Sequence, residues 1–246
     1  MPAGSGVRRA VLFLCTVGCA SAPHHRDNNN PALPRPIEGS FTILRGDEEI
    51  GSERFTITSS AGVFSLSGAL SLGGALSSSQ SYALEVDART FEPRRFRVAL
   101  ALADEVERVE GTRAGDSFQV SIDNIAGHAE RRIPYAKGTM IDLGTPLSHA
   151  VALSLLLPTL EERRPVSVRT IRAPLPLLIP EVVVLEYTLY GRSPESAEHK
   201  VAVKESTSRG KPSGLWLGDD GLVVRARIFG EDGGPPFDFV LDAPEP

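Results

Sequence analysis

The sequence predicts a mostly β fold: one large curved antiparallel sheet, half-barrel or barrel-like, with one short buried helix. Three observations lead there. Apolar and polar residues alternate with period two from Gly39 onward, as they do in strands with one buried face. Short turn signals separate these stretches. A single segment apolar on nearly all sides, bracketed by prolines, breaks the pattern.

Phe41 and Ile43 alternate with Ser40 and Thr42, Arg45–Glu48 forms a turn, and the chain returns through Gly51, Glu53, Phe55 and Ile57. This is a hairpin. Phe64 and Leu66 follow a turn at 59–62, before a Gly/Ser-rich stretch broken at Gly73-Gly74. Tyr82-Leu84-Val86, Phe96-Val98-Leu100-Leu102 and Phe118-Val120-Ile122 fall on alternate positions, and Val106 and Val109 form a weaker stretch between the last two. Further strands are expected over 166–171, 182–190, 200–206, 215–217, 222–229 and 237–241, with the tight-turn dipeptide Asp220-Gly221 inside the series. About a dozen short strands joined by brief turns imply a sheet that curls or closes.

The helix is expected over Leu147–Leu157, with Thr145 as N-cap, Pro146 at the first helical position and Pro158 closing it. Its eleven residues span about 16 Å, half of a bilayer core, so burial within or across the mouth of the sheet is expected. Residues 173–180, Ala-Pro-Leu-Pro-Leu-Leu-Ile-Pro, carry three prolines and run extended. An apolar loop of this kind covers core, lines a ligand cavity or touches lipid.

The formal charge is −5. No continuous basic stripe marks a nucleic-acid surface. Both cysteines, Cys15 and Cys19, precede the β-rich region, so that region forms no internal disulfide and depends on its core.

Chemistry-bearing motifs are sparse. There is no Gly-x-Ser-x-Gly elbow, and Ser208-Arg209-Gly210-Lys211-Pro212 places a Ser-x-x-Lys spacing where glycine and proline preclude a helix. His128, His149 and His199 form no ligand pair, and His24-His25 supplies too few ligands to close a metal site. His149 on the apolar helix is expected to be a buried, hydrogen-bonded core residue. Carboxylate pairs such as Glu161-Glu162 and Asp219-Asp220 fall in turns. No catalytic residue, metal site or cofactor is assigned. Trp216, the one tryptophan, is a core anchor or walls a pocket.

The first residues carry an address. Arg8-Arg9 precede the apolar run Ala10–Val17, too short to span a bilayer but right for an export signal. Thr16-Val17-Gly18-Cys19 resembles the lipobox of bacterial lipoproteins, although that family prefers leucine where Thr16 stands. The resemblance implies lipid attachment at Cys19, and Ala20 after it implies the outer membrane. Ordinary cleavage before Ser21, giving a secreted or soluble periplasmic protein, is the alternative. The expected organisation is a signal peptide over 1–18, the lipidated cysteine and a disordered Pro/Asn-rich tether over 19–36, and a single domain over 37–246.

Several segments together resemble a group of bacterial envelope proteins. These are Gly39-Ser40-Phe41-Thr42-Ile43 with Glu49-Ile50-Gly51, Tyr82–Asp87 up to Glu92-Pro93, the central helix, and Leu215–Val224. Such proteins are similar in outline to periplasmic lipid carriers of the LolA/LolB type, which implies a half-barrel around an apolar groove plugged by helix. The expected function is non-catalytic binding of a lipid-like or apolar ligand by an outer-membrane-anchored lipoprotein facing the periplasm. Leu175, Leu177, Leu178, Trp216 and Leu153 are the candidate lining residues. Docking of another envelope protein is the second reading and an unrecognised hydrolase the third.

Overall fold

The computed structural model describes residues 36–74, 77–102, 105–156, 160–173, 179–192, 198–206, 210–218, 222–229 and 234–242. Its strands are β1 (Ile37–Arg45), β2 (Glu48–Ser60), β3 (Val63–Leu72), β4 (Ser78–Asp87), β5 (Pro93–Leu102), β6 (Glu105–Ala114), β7 (Ser117–Asn124) and β8 (Gly127–Pro134). A second series follows: β9 (Met140–Asp142), β10 (Pro165–Arg172), β11 (Glu181–Arg192), β12 (His199–Glu205), β13 (Ser213–Leu217), β14 (Val223–Ile228) and β15 (Phe237–Leu241). The helix α1 (Pro146–Leu156) lies between β9 and β10.

All fifteen strands form one open, curved sheet in the order β8-β7-β6-β5-β4-β3-β2-β1-β15-β14-β13-β12-β11-β10-β9. Each strand in the series pairs with its sequence neighbour, and β1 joins β15. The result is an up-and-down barrel left open at one seam, between β8 and β9. Pairing is antiparallel except for the three-residue contact of β9 with β10, which is parallel because α1 intervenes.

Alternation sets which face is buried. In β1, Ile37, Phe41 and Ile43 are buried while Glu38, Ser40 and Thr42 face out; in β5, Phe96, Val98 and Leu100 are buried while Arg95 and Arg97 are exposed. The inward residues and α1 form one core, within which Leu143, Leu147 and Leu153 are fully buried. α1 packs against β9 and β14, with Leu147, Ala152 and Leu153 buried and Ala150, Val151 and Leu156 partly so.

Large rings are accommodated by glycines directly opposite them. Tyr82 pairs with Gly68, Phe55 with Gly39 and Phe96 with Gly111, and a Cβ at any of these glycines would overlap the facing ring. Tyr82 therefore lies across β3 and reaches β2.

Two strands escape the sequence pattern. β8 is exposed at every residue but Ile133, and an edge with water on both sides needs no alternation. β9 is buried throughout but has only three residues. Trp216 belongs to the outer face, in antiphase to buried Leu215 and Leu217, so it is not a core anchor. It lies between Lys200 and Arg225, its partners on the flanking strands.

Candidate functional site

The pairing registers bring the start of α1, the β1–β2 and β7–β8 turns, and the ends of β3, β5 and β10 to one end of the sheet. Just inside that end, cross-strand pairing aligns Glu53 of β2, Leu70 of β3, Gln80 of β4, Leu100 of β5 and Glu107 of β6 in one row on the concave face. Acid, leucine, amide, leucine and acid thus follow one another across five strands. Glu53, Gln80 and Glu107 are 0 %, 2 % and 5 % exposed.

Buried polar groups are ordinarily hydrogen-bonded, and each unpaired one carries a cost of about 1–3 kcal/mol. Here three are only partly satisfied. The Tyr82 hydroxyl donates to Glu53 Oε1, but Glu53 Oε2 has no partner. Gln80 Nε2 donates to the Leu143 carbonyl at 2.8 Å, leaving Gln80 Oε1 unpaired. Glu107 Oε2 is likewise unpaired. Burial pushes the Glu53 carboxyl up to about 7, the hydrogen bond from Tyr82 pulling the other way. The Tyr82 phenol is raised by burial and by the Glu53 charge.

The loop from β9 into α1 sits over this row. Gly144, at φ +74°, turns the chain there. The Asp142 carboxylate accepts from the Gly144 amide at 2.9 Å and the Ser148 hydroxyl at 3.2 Å. Asp142 thereby fixes the turn that leads into α1, while Thr145 stands at the N-cap position immediately before Pro146. The Thr145 hydroxyl lies beside that of Tyr82 without a full hydrogen bond of its own, while its carbonyl accepts from Ser148.

A second polar cluster holds the opposite side of α1. His149 Nδ1 is 3.0 Å from the Tyr187 hydroxyl of β11, and its Nε2 is 3.9 Å from Asp142 Oδ1. Burial raises the Tyr187 phenol above its ordinary range, so it stays protonated and is a poor nucleophile at neutral pH. The trio anchors the helix to the sheet, the structural role expected for His149. Outside the barrel, a groove of about 430 Å³ runs over β3–β6, floored by Ala69, Ser81, Ala99 and Ala101 and walled by Arg97, Arg108 and Glu110. Arg97 Nε is 2.9 Å from Glu110 Oε1.

Of the residues picked from sequence, Leu153 lies in the core between sheet and helix. Trp216 lies on the outer face, away from the concave row. Leu175, Leu177, Leu178 and Cys19 fall outside the described residues, although buried Ala173 places the start of the proline-rich loop at the α1 end. Sequence reasoning did not single out Glu53, Gln80 or Glu107. The available signal was phase: Glu53 is in step with Phe55 and Ile57, Gln80 with Tyr82 and Leu84, and Glu107 with Val109.

No family model matches the chain. No curated protein matches it either. Among solved structures, a DUF1089 family protein from Pseudomonas aeruginosa is similar at 15 % identity over 83 % of this chain and 93 % of that one, with a TM-score of 0.45. That likeness is too loose to assign a family or a function.

Proposed function

We propose that this chain is a non-catalytic envelope lipoprotein, anchored at Cys19, whose curled sheet binds a lipid-like, amphipathic ligand on its concave face. One observation carries the reading: a row of incompletely paired polar atoms at the α1 end of a mostly apolar interior of aliphatic and aromatic side chains. An interior polar at one end and apolar beyond it is complementary to a molecule with both characters. α1 packs on the sheet through its buried leucines, and two hydrogen bonds hold it in place: Gln80–Leu143 on the loop before it and His149–Tyr187 on the helix itself. A ligand enters by displacing it.

Native mass spectrometry and solvent extraction of the full-length protein test the reading. The expected result is a stoichiometric amphiphile released on denaturation, with faster amide exchange in α1 when an amphipathic ligand is restored, because the ligand displaces the helix. A protein that carries no such molecule and takes up no hydrophobic dye overturns it.

A further inference from the structure

The buried charges of the described residues are all negative. Glu53, Glu107, Asp142 and Asp238 are buried, and no lysine or arginine is. Two of the four acids are compensated. Arg227 makes a two-pronged pair with Asp238 at 2.8 and 2.9 Å, and Asp142 accepts from Gly144 and Ser148 near His149. Glu53 and Glu107 each keep a carboxylate oxygen with no partner, and Gln80 between them adds an unpaired amide oxygen.

All three unpaired atoms are acceptors. Water-depleted carboxylates favour a cation that donates hydrogen bonds. Glu53 and Gln80 are two strands apart, as are Gln80 and Glu107, so the row spans four strand spacings, about 19 Å along the backbone and less where side chains converge on a concave face. One ammonium group cannot reach both acids. Leu70 and Leu100 fill the intervals, so the row alternates acceptor and alkyl with a regular period.

From this row we infer that the ligand of the concave face is an alkylamine with more than one nitrogen, its cationic ends on Glu53 and Glu107, its methylene segments over Leu70 and Leu100, and any central nitrogen on Gln80. This rests on the carrier reading and narrows it from an amphipathic molecule to one whose polar groups are amines. Tyr82 stays hydrogen-bonded to Glu53 Oε1, leaving Oε2 for the ligand. The other groups over the row, the Leu143 carbonyl and the Thr145 hydroxyl, carry no positive charge to compete.

Calorimetric titration of the full-length protein with three twelve-carbon probes decides the matter: 1,12-diaminododecane, 1,12-dodecanediol and dodecanedioate. At pH 8 the diamine is expected to bind at least about tenfold more tightly than the diol, with the dioate weakest, since a hydrogen bond to a charged group is worth that factor or more. Glu53→Gln and Glu107→Gln are each expected to weaken the diamine about tenfold and to leave the diol unchanged. Glu85→Gln, an outward-facing control on β4, should alter neither. In the unmodified protein, diamine affinity should fall between pH 8 and pH 6 as Glu53 takes up a proton, a readout that needs no variant to fold. If the diol or the dioate binds as tightly as the diamine, the amine assignment is overturned and the carrier reading stands. If none of the probes binds and no amphiphile co-purifies, the carrier reading falls and takes this inference with it.

Discussion

Glu53 is held by a hydrogen bond from Tyr82, and no lysine or arginine is buried among the described residues. Its carboxyl titrates at about 7 in the folded chain because burial disfavours the charge, against about 4.3 when unfolded. Between those values the folded state holds more protons than the unfolded state, so stability falls as pH rises. The loss begins near pH 4.3, is complete above about 7, and amounts to about 4 kcal/mol from this group, of which about 3 falls between pH 5 and pH 8. The sign is opposite to that of an ion-paired carboxylate. Glu53→Gln keeps the shape and an acceptor for Tyr82 but cannot ionise. Urea unfolding at pH 5 and pH 8 should therefore show a gap between the two conditions that is about 3 kcal/mol smaller in Glu53→Gln than in the parent. An unchanged gap would mean that Glu53 is not buried as described.

At the scale of elements, the apolar character of α1 and its proline boundaries were legible in the sequence, and so were the strands whose inward residues are uniformly apolar, β5 and β7 above all. What resisted reading has physical causes. β8 has no buried face to impose a period, and β9 is too short to show one. The polar row was hidden because one polar residue in a strand reads as a break in the pattern, and only the register shows that three such breaks line up. The helix starts where the spacing put it, directly after Thr145, but the Thr145 hydroxyl makes no cap, and the contacts of Asp142 with the Gly144 amide and the Ser148 hydroxyl could not be read from spacing. These contacts separate what α1 does for stability from what it does for binding. Leu153→Ala, at a fully buried position, should cost about 2–5 kcal/mol in urea unfolding. His149→Gln can still hydrogen-bond Tyr187, so it should cost about 1 kcal/mol or less and leave ligand affinity intact. A His149→Gln protein that is stable yet unable to bind would move the site to the other side of the helix.

For the molecule as a whole, an open fifteen-stranded sheet leaves two free edges, and free edges invite pairing with other chains. The two are protected differently. β9 is short, buried and covered by α1, with β5 close by. β8 lies open, but it carries His128, Glu130, Arg131 and Arg132, and Arg169 of β10 donates to the Pro134 carbonyl at its end at 2.9 Å. Arg131 is the informative residue. It pairs with Val120 and so occupies an inner-face position in a row that contains Leu66, Leu84 and Phe96. A charge there ends the apolar face just where another strand could extend it. Glu130 and Arg132 flank it on the outer face. Replacing Arg131 with Val and Glu130 with Thr extends the apolar face to the free edge and raises strand propensity there, with little effect on the core because both side chains are exposed. Light scattering coupled to size exclusion should then show a concentration-dependent shift to larger species in Arg131→Val/Glu130→Thr. Arg97→Val, on the outer face of central strand β5, should show no such shift. If the double variant elutes as the parent does, charge is not what keeps this edge unpaired, and the contact of Arg169 with the end of β8 becomes the restraint to remove next.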